Sequence, residues 1–198
     1  MNLLKKILRR KLLTVTILSL MTFAWITSYF ILKISYQDNS YASASLGEIS
    51  KNKPILIKIP KINIDSNIEQ VGLDKEGFID SPKEPYNVAW FKDGPLPGEI
   101  GNSVIDGHSG WKDGIPAVFD NLYKLRKGDQ IYIENDKGVT MVFVVSKVKT
   151  YDKNDEALDV FISNDGGAHL NLITCSGLWS DETKSHSSRL VVFADLKL

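Results

Sequence analysis

The stretch Leu-Asn-Leu-Ile-Thr-Cys-Ser-Gly at residues 170–177 decides how the rest of the chain is interpreted. Its leucines and its β-branched Ile and Thr predict a strand, and Ser-Gly at 176–177 predicts that the strand ends there. Cys175 therefore lies at the end of a predicted strand, and it is the only cysteine of the chain. A lone cysteine cannot form an internal disulfide, so it is a buried inert residue, half of an intermolecular bridge or a nucleophile.

The first 33 residues predict a membrane anchor. Residues 12–32 carry no charge, which is close to the ~20 residues that a helix needs to cross a bilayer core. Basic residues without acidic ones precede this run, so we expect a cytoplasmic N-terminus and an extracellular domain on a single-pass anchor. The alternative is a secretory signal cleaved near residues 41–44, but the apolar run exceeds the ~7–15 residues of a signal core. Both interpretations export the rest of the chain.

The exported part is acidic although the whole chain has no net charge. Residues 1–33 hold six of the 24 basic residues and none of the acidic ones, so the remainder carries a net charge of −6. It has no basic stripe, which argues against a nucleic acid as partner. A solubilising surface charge is a sufficient explanation of the acidity.

The pattern of polar and apolar residues changes near residue 54. Residues 34–53 are polar and small and predict an extracellular tether, whereas residues 54–198 contain short apolar runs separated by turns. We count about eight predicted strands, of which the β-branched run 139–151 is the clearest, and little helix beyond short pieces at 117–125 and 157–161. This pattern predicts a mainly β domain, either a sandwich or a barrel.

Three residues that could act together follow or begin predicted strands. His108 comes just after one strand, Cys175 ends another, and Arg189 begins the last one. If the strands of Cys175 and Arg189 are neighbours joined by a loop at 176–188, antiparallel pairing places both residues at one rim. A thiolate is a nucleophile, an imidazole can transfer protons, and a guanidinium can stabilise an oxyanion. The set therefore predicts nucleophilic catalysis on an amide.

These residues resemble the signature of the sortases, which are membrane-anchored cysteine transpeptidases of Gram-positive bacteria. That signature is Thr-Leu-x-Thr-Cys, with a His about seventy residues earlier and an Arg on the strand after the Cys. Here residues 172–175 match, His108 stands 67 positions before Cys175, and Arg189 opens the next strand. Asn171 stands where the signature has Thr.

The resemblance covers roughly residues 54–196 and is similar in detail to two classes of the family. The run 90–108 contains Gly-Pro-x-Pro-Gly-Glu and Val-Ile-Asp-Gly-His, which looks like classes E and F. The resemblance implies a closed eight-stranded β-barrel. It also implies that Cys175 attacks the Thr–Gly carbonyl of a Leu-Pro-x-Thr-Gly-like sorting signal and forms a thioacyl enzyme. An amine of a peptidoglycan precursor or a pilin then releases the acyl group.

In this reaction, the resemblance implies, His108 acts first as acid and then as base, and Arg189 holds the substrate and the developing oxyanion. No metal or organic cofactor is implied, and no acidic cluster has the spacing of a calcium loop. Trp111 and Trp179 are candidates for the wall of a peptide groove, although packing at a loop base explains them equally well. Thr174 either orients the site or is simply a good strand residue.

Other residues and other functions compete with this hypothesis. His169 and His186 are alternative bases, but we interpret both as solvated loop histidines because neither ends a strand as His108 does. Arg126 belongs to a charged turn. One alternative function is an exported, membrane-tethered β binding module whose thiol is inert. Another is an L,D-type cell-wall transpeptidase, which typically has His-Gly-Cys where this chain has Thr174 before Cys175.

Overall fold

The computed structural model describes residue 25, residues 27–29 and residues 52–197. The predicted membrane anchor and nearly all of the predicted tether therefore lie outside the described residues. Residues 25 and 27–29 are helical and exposed. No helix within the described ranges is both long and apolar enough to cross a membrane.

Eight strands close into one barrel in the order β1-β2-β3-β4-β7-β8-β6-β5, which confirms the predicted mainly β, closed eight-stranded fold. The pairs β2–β3 and β4–β7 are parallel and the other neighbours are antiparallel. The strands are β1 (Pro54–Ile59), β2 (Ile64–Val71), β3 (Val88–Phe91), β4 (Gly101–Gly107), β5 (Gln130–Asn135), β6 (Thr140–Asp152), β7 (Ala168–Ser180) and β8 (Ser185–Leu196). The helical pieces are α1 (Leu158–Phe161) and three single 3₁₀ turns at Pro60–Ile62, Lys112–Gly114 and Leu122–Lys124.

Alternate residues of the strands fill the barrel. In β5 every second residue is buried, as expected for a strand with one face towards a core. The interior cluster contains Ile57, Ile105, Phe119, Phe143 and Leu172, all at most 1% exposed. Burial of such side chains stabilises the fold by about 1.5–3 kcal/mol each.

A second apolar cluster lies on the outer face of the barrel. It is built from Val104 of β4, Tyr151 of β6, Val160 of α1, and Val191 and Phe193 of β8. α1 is held over this face because an asparagine on β4 and another on β7 donate their amides to backbone carbonyls of the helix. α1 therefore covers part of the outer face of β4, β7 and β8. The same face carries the candidate site.

Three local predictions differ from the structure. Strand β3 was not predicted, because its four residues are nearly all buried and show no alternation of polar and apolar side chains. The helix predicted at 117–125 is reduced to the 3₁₀ turn Leu122–Lys124. The apolar pair at 78–79, which follows a turn signal at 75–77, predicts a further short strand, but Ile79 makes only an isolated bridge with Leu73.

The loop predicted at 176–188 is a β-hairpin. β7 continues through Ser176 to Ser180, and β8 already begins at Ser185, with a register shift between Ser176 and Trp179. Gly177 has φ = +78°, a conformation that glycine adopts without strain, and it allows the irregularity there. Cys175 and Arg189 therefore lie within long strands, not at the end of one and the start of the next as predicted.

Candidate active site

The parallel pairing of β4 with β7 places His108 beside Cys175. Residues of the two strands pair from Gly101 with Ala168 to Asp106 with Ile173, at a constant offset. At the residues that follow this last pair, the Thr174 hydroxyl donates a hydrogen bond to the Gly107 carbonyl over 2.6 Å. His108 directly follows the end of β4, and Cys175 is the next residue of β7, so they occupy corresponding positions on neighbouring backbones.

The antiparallel pairing of β7 with β8 adds the arginine. Cys175 and Arg189 are register partners, and the pairing is regular from that position back to the other end of β7. Cys175 and Arg189 are therefore paired on β7 and β8, and His108, just past the end of β4, occupies the corresponding position on the next backbone. The sequence predicted that Cys175 and Arg189 lie at one rim of the barrel. In the structure they lie within the sheet, and together with His108 they form a row across it.

This row lies on the outer face of the barrel. Leu170 and Leu172 point into the interior cluster, whereas Ile173 packs against the outer one. Because side chains alternate along a strand, Cys175 shares the outer face with Ile173, and it is partly exposed. The Cys175 side chain is therefore on the outside of the barrel, two residues beyond Ile173 of the outer apolar cluster.

The surroundings of Cys175 act on its pKa in opposite directions. Burial raises the pKa of the thiol, the positive charge of Arg189 lowers it, and the negative charge of Asp106 raises it, with a net increase. At neutral pH the resting site therefore holds mainly the thiol. A base must accept its proton, or the ion pair must form as substrate binds, before the sulfur can attack.

His108 is oriented by a backbone carbonyl and an aromatic ring. Its Nε2 lies 2.8 Å from the Pro82 carbonyl oxygen, and the Trp111 ring meets the imidazole edge-on at 4.5 Å between centroids. A carbonyl oxygen can only accept a hydrogen bond, so Nε2 carries a proton. In the neutral imidazole, Nδ1 is then the atom that can accept a proton.

The Arg189 side chain is partly buried and held by its own hairpin. Its Nη1 donates to the Ser188 carbonyl over 2.9 Å and to the His186 carbonyl over 3.3 Å. Both hydrogen bonds of the guanidinium within residues 52–197 are donated by Nη1, so its other N–H donors are available to a ligand. A guanidinium held in this way presents a fixed fork of donors to an oxygen of the substrate.

Asp106 is a further ionisable group of the site that the sequence analysis did not single out. It precedes His108 by two residues on the same face of β4, and burial raises its pKa to about 6. A hydrogen bond from Ser81 and the nearby charges of His108 and Arg189 oppose that rise. The signal in the sequence was the Asp-Gly-His tripeptide, which places an acid one strand repeat before the histidine.

The three residues predicted to bind substrate have different surroundings. Thr174 is 2% exposed and faces the interior, where its hydroxyl ties β7 to β4. Trp111 is partly exposed and contacts the imidazole of His108. Trp179 is 52% exposed on the hairpin, and its ring packs on His186 with centroids 5.2 Å apart. Trp111 therefore contacts the row itself, Trp179 lies on the hairpin four residues beyond Cys175, and Thr174 positions the backbone.

The competing residues lie apart from the row or serve other contacts. His169 begins β7, which places it about 20 Å along the strand from Cys175, and it lies between Asp165 and Asp195. His186 lies on the hairpin with Nδ1 3.2 Å from the Gly177 carbonyl oxygen. Arg126 donates to carbonyl groups of its own turn. The prediction that both histidines lie in loops is wrong, since His169 lies in β7 and His186 lies in β8. That neither is the base stays a prediction.

The described ranges contain no group of three or more His, Cys, Asp or Glu side chains that could hold a metal ion. The expectation that the protein needs no metal or organic cofactor remains a prediction.

Comparison with protein-family models shows a match over most of the domain. Residues 57–197 match the model described as the sortase domain. No curated relative was found in the corresponding sequence comparison.

Solved structures of sortases are similar to this chain. The lid mutant of sortase A from Corynebacterium diphtheriae matches with a TM-score of 0.57 and 26% identity, covering 73% of this chain and 70% of that one. Sortase C-1 from Actinomyces oris gives the same TM-score and identity, covering 73% and 71%. Sortase C1 of Streptococcus agalactiae, in complex with MTSET, matches with a TM-score of 0.57 and 26% identity, covering 74% and 70%.

Proposed function

Because the chain belongs to the sortase family of cysteine transpeptidases, we propose that it cleaves a sorting signal and joins the acyl part to an amine. The signal is a peptide of the Leu-Pro-x-Thr-Gly type, and the acceptor is an amine of a cell-wall precursor or of a pilin. The similar structures are of sortases A and C, and the resemblance to classes E and F stays a prediction.

The observation that supports this proposal is the row of His108, Cys175 and Arg189 across three neighbouring strands. An inert thiol needs no particular neighbours. A nucleophilic thiol needs a base and a group that stabilises the oxyanion, and here both occupy adjacent backbone positions. Because burial raises the pKa of Cys175, its thiol must give its proton to a base before the sulfur attacks, and the proposal assigns this role to His108.

In the first step the sulfur of Cys175 attacks the Thr–Gly carbonyl carbon. A C–S bond forms, and the carbonyl oxygen becomes an oxyanion that the free N–H groups of Arg189 stabilise. The C–N bond then breaks, and the protonated imidazole of His108 gives a proton to the departing amine of glycine. The products are a thioester on Cys175 and the released C-terminal fragment.

In the second step an amine attacks the thioester carbon. His108, now neutral, accepts the proton that the amine loses as its C–N bond forms. The C–S bond breaks and Cys175 leaves as a thiolate, which takes back the proton from the imidazolium. The enzyme returns to its first state, and one peptide bond has replaced another.

The exposed tryptophans support a peptide substrate. Trp111 contacts His108, Trp179 is exposed on the hairpin that continues from Cys175, and the outer apolar cluster includes Ile173, two residues before Cys175. Aromatic rings offer large apolar surfaces to extended peptides. Their assignment as groove walls is part of the proposal.

We further propose that residues 1–33 anchor the enzyme in the cell membrane with the barrel outside. The supporting observation is the uncharged run at 12–32 behind a basic stretch. Protease added to intact cells should digest the barrel domain, whereas a full-length chain that is protected until the cells are lysed contradicts this orientation.

Peptide cleavage by the full-length chain in detergent tests the proposed function. A Leu-Pro-x-Thr-Gly peptide with a nucleophilic amine should give the transpeptidation product with the wild-type chain and none with Cys175→Ala. Ser176→Ala is the matched control, because it removes the neighbouring hydroxyl, which is buried without a hydrogen-bond partner among the described residues. A Cys175→Ala variant with full activity would end the hypothesis.

Thiol labelling separates the enzyme from the binding module. A methanethiosulfonate reagent should modify Cys175 in the folded chain, since the residue is partly exposed. Labelling that requires denaturation would favour the inert module.

A further inference from the structure

One peptide group of the connection between β2 and β3 bridges the imidazole of the site and a carboxylate of β2. It is the group that joins Pro82 to Lys83. Its carbonyl oxygen lies 2.8 Å from Nε2 of His108, and its N–H donates to Oε2 of Glu69 over 3.3 Å. Because a peptide group is planar and nearly rigid, its two hydrogen bonds cannot be oriented independently. The Glu69 carboxylate therefore helps to fix the plane in which the carbonyl meets the imidazole.

The carboxylate of Glu69 is itself fixed by a second hydrogen bond. Its Oε1 accepts from Nδ2 of Asn87 over 2.8 Å, so each of its two oxygens serves one donor. Both residues are partly buried, and Asn87 directly precedes β3. The carboxylate is thus held between the strand that carries it and the start of the strand beside it, and turning it away would break at least one of these hydrogen bonds.

The connection is also attached to the barrel at other points. Ser66 of β2 donates its hydroxyl to the Tyr86 carbonyl over 2.6 Å, and the Pro85 carbonyl accepts the Val118 amide over 2.8 Å. Neither contact involves the peptide group of residues 82–83. If the carboxylate is removed, the connection therefore stays attached to the barrel while this one peptide group becomes free to tilt.

We propose that Glu69 is a positioning residue for His108 and acts through the peptide group of residues 82–83. The carboxylate orients this group, so that its carbonyl keeps the imidazole proton on Nε2 and leaves Nδ1 for proton exchange in the reaction. Misplacing a catalytic group by about 1 Å can cost about 10²-fold in rate, so the contact should matter although it is indirect. The effect of Glu69 on the rate of peptide cleavage rests on the proposed function, whereas its effect on the imidazole does not.

The tautomer of His108 can be measured from the ¹⁵N shifts of the imidazole in the full-length chain labelled with ¹⁵N-histidine. The chain has three histidines, and His169→Gln and His186→Gln assign the signals. At about pH 8.5, above the ordinary histidine pKa of about 6.5, the wild-type ring should be the Nε2–H form. Glu69→Ala should show a mixture of both tautomers, because the carbonyl loses its fixed orientation.

Glu69→Gln tests whether the hydrogen bonds carry the effect. Its side-chain oxygen can accept from the Lys83 amide, and its NH₂ group can donate to the Asn87 side-chain oxygen once that amide turns over. This variant should therefore keep the single Nε2–H form, unlike Glu69→Ala. Glu84→Ala is the matched control, because it removes a carboxylate from an exposed residue of the same connection and should leave the tautomer unchanged.

A substitution on the other side of the contact tests it without truncating Glu69. Asn87→Asp sets a second carboxylate against that of Glu69, and their repulsion should turn the Glu69 side chain away from the Lys83 amide and give mixed tautomers. Adding Glu69→Gln to Asn87→Asp supplies a donor opposite the new carboxylate and should restore the single form. These two variants decide the test if Glu69→Ala does not fold, and a double variant that stays mixed contradicts the proposal.

Kinetics on a Leu-Pro-x-Thr-Gly peptide complete the test. Glu69→Ala should lower kcat by about tenfold with a smaller effect on KM, and Glu69→Gln should recover most of the rate. A wild-type His108 with its proton on Nδ1, or a folded Glu69→Ala variant with the wild-type tautomer or kcat, overturns the inference. If the wild type cleaves no sorting peptide but the tautomers change as expected, the proposed function fails and the positioning of His108 stands.

Discussion

The guanidinium of Arg189 acts on Cys175 in two ways that substitutions can separate. Its charge lowers the pKa of the thiol, against the effect of burial, and in the proposed reaction its remaining N–H groups stabilise the oxyanion. A lysine keeps the charge but loses the planar fork of donors. The charge matters for forming the thiolate, and the fork matters for the transition state.

We predict that Arg189→Ala raises the pKa of Cys175 further, so that alkylation by iodoacetamide at neutral pH slows and its pH profile moves to higher pH. Arg189→Lys should keep most of the alkylation rate but lower kcat for the sorting peptide by about 10²–10³-fold, as expected for a lost oxyanion donor. Arg126→Ala, in an exposed turn, is the control for net charge. Peptide cleavage by Arg189→Lys at the wild-type rate would contradict the assignment.

Gly107 illustrates how tightly the backbone beside the site is packed. A Cβ atom at this position would lie 2.5 Å from Cδ2 of Phe119, a core residue that is 1% exposed. The Phe119 amide also donates to the carbonyl of His108 over 2.9 Å. Glycine at 107 therefore lets the ring pack directly under the strand that carries the histidine.

We predict that Gly107→Ala lowers the free energy of unfolding by about 1–3 kcal/mol, because overpacking a dense core forces side chains to shift. Urea unfolding measures the change. Gly72→Ala is the matched control, since a Cβ there meets its nearest atoms at ordinary contact distance, 3.4 Å. Equal stability of the two variants would show that Phe119 moves aside without penalty.

At the scale of elements, α1 depends on asparagines of the strands beneath it. Asn171 of β7 donates to the Val160 carbonyl over 2.7 Å, and Asn102 of β4 donates to the same carbonyl over 3.2 Å. Asn171 stands where the family signature has Thr, and it is 1% exposed. In this chain the departure therefore serves to hold the single helical turn over the outer face.

We predict that Asn171→Ala lowers the free energy of unfolding by about 1–3 kcal/mol, since it leaves a buried carbonyl with one partner fewer and a small void. Hydrogen exchange at the Ile162 amide, which closes the helical turn, should accelerate. Asn154→Ala, an exposed residue of the same connection, is the control. Unchanged protection of Ile162 would mean that Asn102 alone holds the helix.

The hairpin shows where local signals mislead at this scale. Ser-Gly at 176–177 is a good turn signal, and a turn there would have ended β7 at Cys175. In the structure the same glycine accommodates an irregularity, and the strand resumes because Trp179 and His186 pair across the hairpin. Cross-strand contacts between residues distant in sequence thus outweighed the turn propensity.

At the scale of the molecule, His169 connects three parts of the barrel at the end opposite to the candidate site. Its Nδ1 lies 2.8 Å from Asp195 of β8, and its Nε2 lies 3.0 Å from Asp165, which precedes β7. Burial acts to lower the pKa of His169, but the hydrogen bonds and charges of both carboxylates outweigh it and raise the pKa. Asp165 has its pKa lowered, first by its hydrogen bond with His169.

The stability of the fold should therefore depend on pH through His169. A histidine whose folded-state pKa is raised stabilises the fold fully below its unfolded value of about 6.5, and this contribution disappears as the pH rises through the folded value. His169→Gln should thus destabilise the chain more at about pH 5.5 than at about pH 9. Urea unfolding at both values tests this, with His186→Gln as control, and an equal loss at both would contradict the linkage.

Part of the fold and of the candidate site was predictable because it depends on neighbours in the chain. Runs such as residues 139–151 and the alternation in β5 predict strands locally. β3 was missed because it is buried on both faces, which is a property of the closed barrel. The contact of the Pro82 carbonyl with His108 was missed because nothing in residues 78–83 indicates which part of the barrel they lie against.

The sequence by itself determined the mainly β class, the candidate residues His108, Cys175 and Arg189, and the resemblance to a family that the comparisons then showed. The tertiary structure alone decided that these three residues form a row on the outer face, that Asp106 joins them, and that Pro82 orients the imidazole. The physical reason is that strand formation follows from side chains a few positions apart. The register of β4 with β7, by contrast, is set across 67 residues by the closure of the whole barrel.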